Sequence, residues 1–92
     1  MAASLRSFQD DEVSLGDWFR VTKVWDDGRT EPDQTVYILE AVLRTTTTGA
    51  LTISARHAIG RLHERTRFED RGPGWRLRFN RVRQSGRVPK PT

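Results

Sequence analysis

Two arginines spaced one residue apart are the most chemically suggestive feature of this chain. They lie in Gly74–Arg83, GWRLRFNRVR, where Trp75, Leu77 and Phe79 share one parity and Arg76, Arg78 and Asn80 share the other. Side chains on a strand alternate between faces, and alternate residues lie about 7 Å apart. A strand written this way buries its aromatic side and holds out guanidinium groups at a spacing suited to successive phosphates. Arginine presents a planar fork of donors that fits phosphate or carboxylate, where lysine offers a point charge.

Further basic residues can extend such a surface. Arg61, Arg65, Arg67 and Arg71 precede the strand, while Arg81, Arg83, Arg87 and Lys90 continue past it as an arm. Basic arms add affinity through the phosphate backbone that is independent of base sequence. Trp18 and Trp75 are candidate aromatic contacts, since a single-stranded ligand needs a stacking platform. The competing reading is a solvated face ion-paired to the acidic first half, with the tryptophans packed in the core.

The charge distribution supports the first of these. Residues 1–55 carry five basic groups (Arg6, Arg20, Lys23, Arg29, Arg44) against nine acidic ones, whereas residues 56–92 carry eleven against Glu64, Glu69 and Asp70. Asymmetry of this kind points to an anionic partner.

Other chemistries find little support. His57 and His63 are six apart and belong to no metal-binding spacing. Gly72-Pro73-Gly74 precedes a strand, and its proline offers no N–H to a phosphate. Asp26-Asp27-Gly28 opens like a calcium loop but lacks the later ligands, so it reads as a turn. The serines have no nucleophile-elbow context. No enzyme activity, metal or cofactor is expected.

The elements that must position the arginines follow from periodicity. Ser14-Leu15-Gly16-Asp17 is a turn leading into WFRVTKVW, 18–25, where Phe19, Val21 and Trp25 share a parity that Lys23 interrupts. Asp26-Asp27-Gly28 begins a polar loop of seven to nine residues to the next strand. Thr35–Arg44 is apolar on both parities and reads as a central strand covered on two sides; a helix that clusters Tyr37, Ile38, Ala41 and Val42 is its rival.

From Ser54 the period changes. Ala55, Ala58, Ile59 and Leu62 fall at helical spacing, with Ser54 as an N-cap, which predicts a helix over about 54–65. Gly60 weakens that helix, and a strand through Leu51, Ile53 and Ala55 is its rival. Asp70–Gly74 is the strongest turn in the chain. The alternation of the last strand breaks near Asn80, through a bulge or because the strand leaves the core.

The expected fold is therefore α+β, a small antiparallel sheet of three to five strands with one helix packed on it. The alternative is an all-β small barrel. One globular domain is expected over 17–84, after a loosely held lead-in at 1–16 and before a basic tail at 85–92. The chain has no cysteine and no apolar run of spanning length, so a cytoplasmic location is expected, without a membrane.

The function these features favour is a small basic nucleic-acid-binding accessory or regulatory protein, with DNA favoured over RNA. The alternative is an inhibitor or adaptor that docks an acidic protein surface, or a self-associating subunit, through arginine and tryptophan.

Overall fold

The computed structural model describes residues 4–5, 12–44, 47, 49–59 and 64–83. They form nine strands: β1 (Ser4–Leu5), β2 (Val13–Ser14), β3 (Trp18–Trp25), β4 (Thr30–Pro32), β5 (Tyr37–Arg44), β6 (Leu51–His57), β7 (Arg65–Glu69), β8 (Arg71–Gly72) and β9 (Trp75–Arg81). β1 pairs with β2, and the rest form one sheet in the order β7-β6-β5-β3-β9-β8, with β4 also paired to β3. Every pairing is antiparallel.

The sheet curls into a nearly closed barrel, and no helix occurs among the described residues. The expected α+β arrangement is therefore corrected to the all-β alternative. Where a helix was expected over about 54–65, β6 occupies Leu51–His57 and β7 begins at Arg65. Ile53 and Ala55 are fully buried, which is a period of two, and Ile59 is 69% exposed although a helical stripe would have covered it. Both edges of β6 are hydrogen-bonded, to β5 and to β7, so its backbone is satisfied without local helical bonds. Gly60, Arg61, Leu62 and His63 lie outside the described residues.

Strand β5 resolves the doubly apolar pattern of Thr35–Arg44 differently from the expected two-sided cover. Its register against β6 shifts between Leu39 and Ala41, leaving Glu40 as an extra residue. Such a bulge exchanges the two parities. Tyr37 and Leu39 are buried before it and Val42 packs against the core after it, while Leu43 is 60% exposed.

The polar loop after β3 is likewise shorter than expected. Trp25 N–H donates to Arg29 O (2.8 Å) and Asp27 Oδ1 accepts from Arg29 N–H (3.0 Å), which closes a tight turn directly into β4. At the other end, β9 stays in register with β3 through Phe19 opposite Arg81. No bulge occurs at Asn80; the strand leaves the core there.

Barrel closure depends on a single residue. β7 and β8 are consecutive pieces of one run, and only Asp70 separates them. Asp70 N–H donates to Leu51 O of β6 (3.0 Å), and Asp70 O accepts from Leu77 N–H of β9 (2.8 Å). Its side-chain Oδ1 also accepts from Leu51 N–H (3.0 Å). The corner thus ties β6 to β9, the two strands that flank the β7–β8 run. Within that core Phe19, Leu39, Ile53 and Val13 are the largest fully buried side chains. Phe19 meets Tyr37 and Phe79 at ring-centroid distances of 5.7 and 6.0 Å. The turn beyond the corner is equally constrained: a Cβ on Gly72 would overlap the indole of Trp75.

Two consequences can be measured by urea unfolding. Asp70→Ala leaves the Leu51 amide without its side-chain acceptor and should lower stability by about 1–3 kcal/mol. Gly72→Ala should cost about 1–3 kcal/mol through the overlap with Trp75. An unchanged midpoint in either variant would contradict this picture of the corner.

Candidate functional site

Because Phe19, Val21, Leu77 and Phe79 point into the core, the other parity of β3 and β9 faces outward. The register then sets Arg20 opposite Asn80, Thr22 opposite Arg78, and Val24 opposite Arg76. On the far side of β9, Arg71 stands opposite Arg76. Arg20, Arg71, Arg76 and Arg78 therefore share the outer face of three adjacent strands. The remaining outward positions there, Trp18, Thr22, Val24 and Asn80, include no carboxylate. Arg71 Nη2 donates to Gly49 O (2.8 Å) and Arg20 Nε to Gln34 O (3.4 Å). Both acceptors are neutral carbonyls, so these bonds orient the guanidinium groups without cancelling their charge.

The other basic candidates are placed elsewhere. Arg65 lies on the outside of β7, 3.5 Å from Glu40, the bulged residue that also accepts from Arg56 Nε at 3.0 Å. Arg67 is exposed opposite Ser54. Arg81 has the inward parity at the end of β9, with Nη1 4.0 Å from Asp17 Oδ2. Arg83 is exposed just beyond β9, and Arg61, Arg87 and Lys90 lie outside the described residues. The tryptophans separate as well. Trp18 faces outward opposite Ile38, whereas Trp75 faces inward opposite Trp25.

Sequence reasoning missed Arg20, which sits in the acidic half. Its outward parity follows from Phe19 and Val21, but its place beside Arg78 follows only from the pairing of β3 with β9. It also missed what the interruption at Lys23 achieves. Lys23 has the inward parity and emerges at the open end of the barrel. Its Nζ stands 4.6 Å from the ring centroid of Trp75 and 5.1 Å from that of Trp25. Arg29 covers Trp25 at 5.0 Å, and Trp25 Nε1–H donates to Glu31 Oε2 at 3.0 Å.

Beside Lys23 opens a cleft of about 420 Å³, lined by Val21, Lys23, Glu31, Pro32, Asp33, Gln34, Phe68 and Leu77. Val21, Phe68 and Leu77 make it apolar; Lys23, Glu31 and Asp33 supply the charge. Among the described residues no group of three or more His, Cys, Asp or Glu is placed to hold a metal ion. His57 packs edge-on against Tyr37 at 5.4 Å. Among the described residues no helix is long and apolar enough to cross a membrane. Comparisons with protein families, curated proteins and solved structures return no match.

Asp33 is the most tightly held charge at the cleft. Its Oδ1 accepts from Thr35 N–H and its Oδ2 from Tyr37 O–H, both at 2.9 Å. Partial burial pushes its carboxyl up, but donation from Thr35 and Tyr37 outweighs this, and the net shift is downward. The Tyr37 hydroxyl shifts upward, through burial and then its bond to Asp33. The sign for Asp33 follows. A lowered folded value contributes stability above the unfolded value of about 3.9, and that stability is lost as pH falls through the folded value. For Tyr37 the contribution is present below its unfolded value of about 10 and lost as pH rises through the folded one. Asp33→Asn should therefore flatten the loss of stability below about pH 4. An acid limb identical to that of the wild type would contradict the role given to Asp33.

Proposed function

We propose that this protein is a small nucleic-acid-binding module whose ligand phosphates lie on the outer face of β3, β8 and β9. One observation carries the reading: the outward positions of these strands hold four arginines and no carboxylate. Arg76 and Arg78 are spaced along the strand by about 7 Å, and Arg71 and Arg20 flank them across it. Guanidinium–phosphate pairing is strong and bidentate, and it releases condensed counterions. Neutral carbonyl tethers pre-orient Arg71 and Arg20, which reduces the ordering cost of binding. The chain's net charge of +4 adds a long-range attraction of the same sign. Binding, with no chemical step, is the activity proposed.

Fluorescence anisotropy with labelled oligonucleotides at several salt concentrations tests it. For duplex, log K should fall against log salt with a slope of about −0.9 per phosphate neutralised. Arg76→Ala with Arg78→Ala should weaken binding across sequences and reduce that slope by about 2, or about 1 per arginine. Arg65→Ala, beside Glu40, should leave the slope unchanged. No binding by the wild type even at low salt would end the proposal.

A further inference from the structure

Strands β3 and β9 carry a second arrangement on their inward parity, independent of the arginine face. Its rows run Val21 opposite Phe79, Lys23 opposite Leu77, and Trp25 opposite Trp75. The last row lies at the open end of the barrel, where two tryptophans stand opposite each other across neighbouring strands. Both rings carry cations: Lys23 contacts both, and Arg29 contacts Trp25. Among the described residues no carboxylate lies within ion-pair distance of Lys23 Nζ, which rests instead over the two indole rings.

We propose that the open end of the barrel is a cation-binding site, plugged by the protein's own Lys23, that receives an alkylated ammonium group on an aliphatic stem. Aromatic faces attract cations, and the gain grows as the cation sheds water. A primary ammonium such as Lys23 is compact and strongly hydrated. An alkylated ammonium spreads the same charge over methyl groups, which gain by contact with apolar surface. That surface is present. Lys23 contacts both indoles and also lines the cleft, so its withdrawal would open one to the other. The stem then runs over Val21, Leu77 and Phe68. Charge complementarity favours a cation over an anion. Glu31, held by the Trp25 indole, and Asp33 both line the cleft, and once Lys23 swings out neither carboxylate there faces a lysine. The same group can arrive as a methylated lysine side chain of another protein or as a free choline-type molecule.

The full chain, labelled with ¹⁵N, distinguishes these sources when the indole N–H signals of Trp25 and Trp75 are followed by NMR. The probes are choline, a peptide containing trimethyllysine, and the same peptide with unmodified lysine. Saturable shifts of both indole signals by choline or by the methylated peptide are expected, and whichever probe binds more tightly identifies the source. Lys23→Ala should tighten that binding about tenfold, the gain expected if the open form is about a tenth of the population. Glu31→Gln should weaken it. Lys23→Met, which keeps the apolar stem, serves in place of Lys23→Ala if the latter does not fold. Equal binding of the unmodified peptide would overturn the proposal. So would the absence of saturable indole shifts in both the wild type and the folded Lys23 variant.

Discussion

One run of backbone serving two neighbours is the constraint on which this structure rests. From Arg65 to Glu69 the run pairs with β6, and from Arg71 to Gly72 it pairs with β9. The exchange takes place at Asp70, whose amide, carbonyl and carboxylate bond to both neighbours. The exchange makes one continuous run of β7 and β8, the two ends of the strand order. With it, the sheet curls around Phe19, Leu39 and Ile53 and shields them from water. A chain of this size has little core to spare.

Closure also gives the strands an inside and an outside, and two chemistries are divided between them. On β3, Phe19 and Val21 point in while Arg20 and Thr22 point out; on β9, Leu77 and Phe79 point in while Arg76 and Arg78 point out. Where the core thins at the open end, the inward positions no longer need to be apolar. Lys23, Trp25, Trp75 and Glu31 use that freedom; the Trp75 indole packs against the core, and that of Trp25 is held by Glu31. A shift of one residue in the pairing of β3 with β9 would mix the two sets. The seven consecutive register pairs between these strands prevent such a slip.

Much of this was legible in the sequence wherever alternation is local. Trp75 to Phe79 and Trp18 to Val21 declare their strands through parity alone, and Gly72-Pro73-Gly74 declares the turn. The segment after Ser54 misled because Ala55, Ala58, Ile59 and Leu62 happen to fit a helical stripe. The strand at Leu51–His57 is stabilised by partners far away in sequence, which local periodicity cannot register. The bulge at Glu40 made β5 resemble a strand covered on both sides. For the candidate site, the parity of Arg76 and Arg78 was readable, whereas their neighbour Arg20 and the pairing of Trp25 with Trp75 required the register. Arg65 and Arg81 share the composition of the basic half, but Glu40 and Asp17 engage them away from the outer face of β3 and β9.

The most direct test of the account is a set of inter-strand proton contacts measured by NMR along Leu51–Leu77. The closed barrel predicts cross-strand contacts from the Asp70 corner to Leu51 on one side and to Leu77 on the other, with strand-type contacts between Ile53 and Phe68. Sequential helical contacts through 54–59, or an Asp70 that touches only one of the two strands, would contradict it. The division of the molecule into an arginine exterior and a lysine–tryptophan mouth would then have no basis.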